Sequence, residues 1–315
     1  METGYTIVVG NHEALTDLCG VNDSNLGVIE DFLGAPVVTR GNELTIASSD
    51  PEICRKFQLV VDAVMSGSTC LHDCPDLIHS VLDSMKTDDP ESYSRIFIHI
   101  PQAIRRVYPK TVHQAEFIRA LDTHELLLCL GPAGTGKTFL AVAYALKLVL
   151  TRQVRKIVVT RPVVEAGENL GFLPGDLEQK INPYLRPIRD AMEALLPADV
   201  LRKIEDSSLV EVAPLAYMRG RSLNNAVVLL DEAQNTTTEQ MKMFLTRLGE
   251  NSRAIITGDC TQVDLPRRCE SGLVSATRIL SDIPEIAILT LGTEDVVRNR
   301  LVQKIVQAYE QHTTR

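Results

Sequence analysis

The chain has 315 residues, 44% of them apolar, enough for one large domain and one smaller one. Its 41 acidic against 32 basic side chains leave a formal charge of −9, which excludes a general electrostatic sponge for nucleic acid and confines any such site to a local patch. Residues 1–10 show no basic-plus-apolar leader and no apolar run approaches the roughly 20 residues that cross a bilayer, so a cytoplasmic protein without membrane contact is expected.

The first elements in chain order are a strand over Tyr5–Val9, a helix over Asn25–Leu33, strands Val37–Thr39 and Leu44–Ile46, and a helix over Pro51–Met65. Arg40, Gly41 and Asn42 read as the turn of a hairpin, with Gly and Asn supplying positive φ. This is a small α+β module. From 66 to 110 the apolar signal thins and acidic and turn residues gather at Lys86–Glu91, the composition of a connector; the expected division is 1–105 and 106–315.

Seven cysteines, an odd number scattered along the chain, fit reduced thiols. Cys70, His72 and Cys74, with His79 beyond, suggest a metal site, but no second pair stands at zinc-finger spacing, and a loop capping a helix over Asp76–Met85 is the simpler reading.

Beyond Thr111 the pattern becomes strand candidates alternating with helices: Leu126–Leu130, Ile157–Thr160, Leu209–Val212, Val227–Leu230, Ala254–Thr257 and Ile286–Leu289. Continuous Val/Ile/Leu runs separated by helices predict an α/β fold, a doubly wound parallel sheet covered on both faces. Between the first strand and the helical Phe139–Leu150 lies Gly131, Pro132, Ala133, Gly134, Thr135, Gly136, Lys137 and Thr138, a complete phosphate-binding loop. Gly134 and Gly136 let backbone amides turn toward phosphate, Lys137 supplies a compact charge for β- and γ-phosphates, and Thr138 offers a hydroxyl to Mg2+.

A partner motif follows where Val227–Leu230 runs into Asp231 and Glu232. A buried strand ending in two carboxylates delivers them to the C-terminal sheet edge, where open α/β sheets bind ligands. Asp231 is the expected Mg2+ anchor and Glu232 the residue that deprotonates the attacking water, since residues 126–311 contain no histidine. A third strand runs into Gly258, Asp259, Cys260, Thr261 and Gln262, where Asp259 and Gln262 suit a γ-phosphate sensor.

Together these segments resemble the PhoH-like family of P-loop ATPases, a helicase-related group, over roughly Thr111–Glu310. The resemblance is carried by Gly131–Thr138, Thr160–Pro162, Gly167–Gly171 with Leu173–Gly175, Tyr217–Arg221, Asp231–Thr236, Gly258–Pro266 and Asp295–Arg298. The N-terminal pattern of Leu18–Gly20, Asn25, Leu26, Leu33, Gly34 and Arg40–Asn42 is similar to an RNA-binding KH fold, without its Gly-x-x-Gly clamp. The resemblance implies ATP and Mg2+ as cofactors, Gln114 as reader of adenine with Phe117 in the usual tyrosine position, and Arg298 as the arginine that meets the γ-phosphate, with Arg219 and Arg221 as other candidates. A single helicase-type core implies a homo-oligomer, a hexameric ring whose channel takes single-stranded RNA. Arg161, the Gly167–Gly175 loop, Lys180, Tyr184, Arg186 and Arg219–Arg221 are the expected RNA contacts, or else an arginine-rich oligomer interface. The activity implied is ATP hydrolysis coupled to RNA remodelling; the alternative is a nucleotide-gated RNA-binding adaptor for a metal-dependent endoribonuclease, with slow hydrolysis. A small-molecule phosphotransferase fits the carboxylate and sensor motifs less well.

Overall fold

The computed structural model describes residues 4–67, 74–85, 96–162, 177–266 and 268–297. It divides into two compact units, Met1–Arg119 and Ala120–Arg315.

In the first unit, strands β1 (Tyr5–Val8), β2 (Val37–Arg40) and β3 (Glu43–Ile46) form an antiparallel sheet in the order β1-β3-β2. Helices α1 (His12–Cys19) and α2 (Ser24–Leu33) lie between β1 and β2, and α3 (Pro51–Gly67) follows β3. This βααββα order has one helix more than the sequence reading and is consistent with the KH-like resemblance. Helix α1 was not expected, although its signals are present: the Asn11 side chain accepts a hydrogen bond from the Glu13 amide, and Ala14, Leu15 and Leu18 share a buried face. At the hairpin only Gly41 takes a positive φ, 63°, so glycine alone supplies the turn's special conformation. Helix α4 (Cys74–Ser84), within the stretch read as connector, buries Leu77, Ile78, Val81 and Leu82 in the same core as Leu44, Phe57 and Val60. Of the metal-site reading, Cys70 and His72 lie outside the described residues; Cys74 is buried at the start of α4.

Helix α5 (Val112–Thr123) spans the division. The second unit is a six-stranded parallel sheet of β4 (Leu126–Leu130), β5 (Lys156–Thr160), β6 (Val210–Val212), β7 (Ala226–Leu230), β8 (Arg253–Gly258) and β9 (Ile286–Thr290). All six expected strands are present, in the order β6-β5-β7-β8-β4-β9. The central strand β7 is buried at all five positions, the continuous apolar run of a sheet covered on both faces. Helix α6 (Lys137–Leu150) crosses from β4 over β8 and β7 to β5, and Leu140–Leu146 are buried without interruption. Helices α7 (Leu177–Leu195), α8 (Ala198–Asp206), α9 (Thr238–Leu245) and α10 (Gly272–Leu280) complete the layers.

Helix α9 starts on a capping box between Thr237 and Gln240 and ends at Leu245, short of Gly249. The reason is pairing: the Leu223 amide donates to Arg247 O and the Gly249 amide donates to Leu223 O, which draws this backbone out of the helix. The strand order fixes the place of the site. After β4 the chain crosses to the far side of β7, and the crevice at such a reversal opens at the C-terminal strand ends.

Candidate nucleotide site

Three adjacent strands, β4, β8 and β7, deliver the polar residues to one edge. Cys129 is level with Thr257 and Leu130 with Gly258, while Leu230 is level with Ile256. The loop after β4, the end of β8 and the carboxylates after β7 therefore meet by register. They line a cavity of about 470 Å³ that includes Gly134, Lys137, Thr138, Asp231, Glu232 and Gln262.

The loop is held in shape by its glycines. Gly131 has φ 151°, and a Cβ there would stand 2.7 Å from Leu291 O, so no larger residue fits. Gly136, at φ 81°, starts α6 directly at Lys137. The buried Lys137 ammonium donates to Gly131 O at 2.6 Å, Pro132 O at 2.7 Å and Thr135 Oγ1 at 3.3 Å. Burial lowers its pKa from the ordinary lysine value, and nearby acids including Asp259, Asp231 and Glu232 push the other way.

Asp231 is 3% exposed and fully engaged. Its Oδ1 accepts from Thr138 Oγ1 at 2.9 Å and Thr257 Oγ1 at 2.6 Å, and its Oδ2 accepts from Arg161 Nε at 3.0 Å and Nη2 at 2.6 Å. Glu232 adopts a left-handed conformation, φ 55° and ψ 37°, which costs a residue with a Cβ about 1–3 kcal/mol and marks a place where the surroundings impose the turn. Its Oε2 accepts from Gln234 Nε2 at 2.7 Å.

Gln234 is wholly buried and ties the two acidic loops together. Its Nε2 also donates to Gln262 O at 3.3 Å, and its Oε1 accepts from the Asp259 amide at 2.9 Å. Asp259 in turn accepts from the Ala133 amide of the phosphate loop at 3.1 Å, from the Thr261 amide and hydroxyl, and from Gln262 Nε2 at 2.7 Å. Burial pushes its pKa up, but the Thr261 donors lead a larger opposing pull, and the net shift is downward. The carboxylate of Asp259 is thus an anion already seated against one of the amides that a phosphate loop presents.

Of the residues singled out in the sequence, Gly131–Thr138, Asp231, Glu232, Asp259 and Gln262 are brought together. Gln114 belongs to the first unit, where it is buried and its Oε1 accepts from the Lys110 amide at 2.7 Å; Phe117 is wholly buried. Arg298, the Gly167–Gly175 loop, and the side chains of Lys180 and Tyr184 lie outside the described residues. Val297, the last residue before Arg298, donates its amide to Gly134 O at 3.0 Å. Arg219 is exposed, whereas Arg221 pairs with Glu211 at 2.6 Å. The sequence missed Thr257, Gln234 as a bridge, and Arg161 as a partner of Asp231 rather than an outward cation. Each contact joins segments dozens of residues apart and has no local signal.

A central parallel sheet, a phosphate loop entering a helix, and a buried strand ending in Asp231 define a P-loop NTPase fold. The family description "PhoH-like protein" matches residues 106–310. The chain is 43% identical to a PhoH-like protein of Mycobacterium tuberculosis (strain ATCC 25618 / H37Rv) over 95% of this chain and 86% of that protein. It is 41% identical to a PhoH-like protein of Bacillus subtilis (strain 168) over 95% of each. Among solved structures it has a distant likeness to the Pif1 helicase from Candida albicans, 14% identical with a TM-score of 0.31, covering 61% of this chain and 42% of that one. The chain belongs to the PhoH-like protein family. Among the described residues, no helix is long and apolar enough to cross a membrane.

Proposed function

We propose that this chain binds ATP with Mg2+ in the cavity at the β4, β8 and β7 ends, hydrolyses it, and couples hydrolysis to single-stranded RNA. The observation that carries the reading is the 2.9 Å hydrogen bond from Thr138 Oγ1 to Asp231 Oδ1, which joins the phosphate loop to the buried acid. A hydroxyl and a carboxylate oxygen converging there are the hard ligands that suit Mg2+, so Thr138 and Asp231 are its holders. Bound there, Mg2+ neutralises charge on the β- and γ-phosphates. The loop amides from Gly134 to Gly136 cradle the phosphates, and Lys137 turns from the loop carbonyls of Gly131 and Pro132 to the β- and γ-oxygens. Glu232 receives the proton of the attacking water, and Gln262 orients that water or the γ-phosphate. Gln114 selects adenine, on the order of the motifs alone. Arg298 meets the γ-phosphate, of its own chain or of a neighbouring copy; the Val297 amide, which donates to Gly134 O, brings the backbone before it to the phosphate loop.

Charge distribution supports RNA contact on the second unit. Residues 1–119 hold nine basic against seventeen acidic side chains, whereas 120–315 hold 23 against 24. A polyanion is repelled less by the second, where Arg186 and Arg219 are exposed. The functional boundary is placed at 106, and a hexameric ring is the proposed assembly.

The test is direct. Lys137→Ala abolishes nucleotide binding or turnover, and Glu232→Gln traps bound ATP. Turnover unchanged in both would reject the assignment. Stimulation by oligo-RNA, with strand displacement of a tailed duplex, separates an RNA motor from a slow nucleotide-gated adaptor, and sedimentation with a nonhydrolysable analogue measures the ring.

A further inference from the structure

We infer that Arg161 is an internal counter-ion for the magnesium carboxylate: it neutralises Asp231 while the site is free of metal and must yield when the metal enters, so that it sets the Mg2+ concentration at which nucleotide is accepted. The inference rests on the reading of this cavity as a Mg2+-nucleotide site.

A carboxylate as buried as Asp231 requires a cation, because an uncompensated buried charge is strongly disfavoured. Lys137 does not fill that role, since its ammonium is spent on two loop carbonyls and the Thr135 hydroxyl. Arg161 does fill it. Two of its nitrogens grip Oδ2, the oxygen that the Thr138 and Thr257 hydroxyls leave open, and the closer contact is 2.6 Å. A guanidinium carries only donors and a fixed charge, so it can pair with the acid but cannot share its lone pairs with a divalent ion without repulsion.

The backbone at this point is pinned while the side chain has somewhere to go. Thr160 O accepts from the Asp231 amide at 3.1 Å and Arg161 O accepts from the Leu215 amide at 3.4 Å. Arg161 lines the cavity, and its Nη2 already lies 3.4 Å from Glu232 Oε1. Movement from Asp231 toward Glu232 needs only side-chain rotation. Metal entry at one carboxylate is thereby linked to the charge placed beside the other. Arg161 acts through Asp231 and Glu232 and is a positioning residue.

Three measurements test this on the full chain: binding of a fluorescent ADP analogue across a Mg2+ titration, calorimetry with Mg2+ alone, and thermal melting in chelator. Arg161→Gln is expected to melt earlier in chelator, to regain stability with Mg2+ alone, and to bind nucleotide at a Mg2+ midpoint about fivefold lower, the size of a modest charge-pair effect. A midpoint unchanged or raised overturns the proposal. Should the glutamine variant not fold, Arg161→Lys carries the test: it loses the two-nitrogen grip, and its midpoint falls by about twofold, an unchanged value rejecting the role. Wild-type protein that binds no nucleotide at any Mg2+ concentration would instead sink the nucleotide reading itself.

Discussion

The carboxylate of Asp259 accepts the amide of Ala133 at 3.1 Å, so the loop after β8 is fastened to the phosphate loop by an anion of the protein's own. The same Oδ2 receives Gln262 Nε2, which makes Asp259 the support on which the proposed sensor stands. Asp259→Asn removes the charge but leaves one acceptor. Nucleotide affinity is expected to stay within about threefold while turnover falls about tenfold, the scale of a displaced catalytic hydrogen bond. Equilibrium binding with single-turnover kinetics checks it; wild-type turnover in the variant contradicts it.

Lys137 gives a pH signature with two opposite signs. Its folded pKa lies below the ordinary 10.5 because burial disfavours the charge, so folding favours the neutral amine. Stability of the nucleotide-free protein from this group therefore rises as pH climbs through the folded pKa toward 10.5. Nucleotide binding needs the ammonium and weakens over the same window, with proton uptake at its alkaline end. Titration calorimetry at alkaline pH in two buffers of different ionisation enthalpy measures the uptake, and identical heats would rule it out.

Glu232 predicts a contrast between two substitutions that both remove its carboxylate. At φ 55° a Cβ is strained and glycine is not, so Glu232→Gly should be more stable than Glu232→Ala by about 1 kcal/mol. That difference is about 2–4 °C in melting temperature for a domain of this size. An alanine variant as stable as the glycine one would show that the turn is not imposed.

Glu211, on the edge strand β6, contributes to stability in a way that depends on acid pH. The Arg221 hydrogen bond leads its stabilisation, burial opposes it, and Lys156 at 2.6 Å adds to it, holding the pKa at about 2 against an ordinary 4.5. A depressed carboxyl contributes above its unfolded pKa and is lost as pH falls from about 4.5 through the folded value near 2. Glu211→Gln should melt lower than wild type at neutral pH, and the gap should close toward pH 2. A gap constant with pH would assign the loss to packing instead.

Much of the second unit is legible in the sequence because its strands are short, continuous apolar runs, and the phosphate loop and Asp231 sit directly at the ends of two of them. The lateral arrangement is not legible in the same way. That β8 lies between β4 and β7 depends on long crossovers, and only this order brings Thr257 to Asp231. Arg161 reads as an outward cation after a strand; only the buried acid 70 positions on explains it. In the first unit, α1 escapes notice because it is eight residues long with a single side-chain cap, whereas α4 matches the helix read over Asp76–Met85 and only its place in the core is not legible. The backbone of Glu232 has no sequence signal at all, since nothing local marks a glutamate for the left-handed region.

The interposed position of β8 has a mechanical corollary. The strand that presents the loop and the strand that presents the acids do not touch; each is laced to β8 and to nothing of the other. Within the sheet, β8 is the strand that couples the two, beside the Thr138–Asp231 hydrogen bond and helix α6, which link the loop to β7 and β5 directly. Shortening β8 by a single residue would move Thr257 and Asp259 out of line with both neighbours at once, dismantling acid, loop and bridge together while leaving every one of their own residues intact.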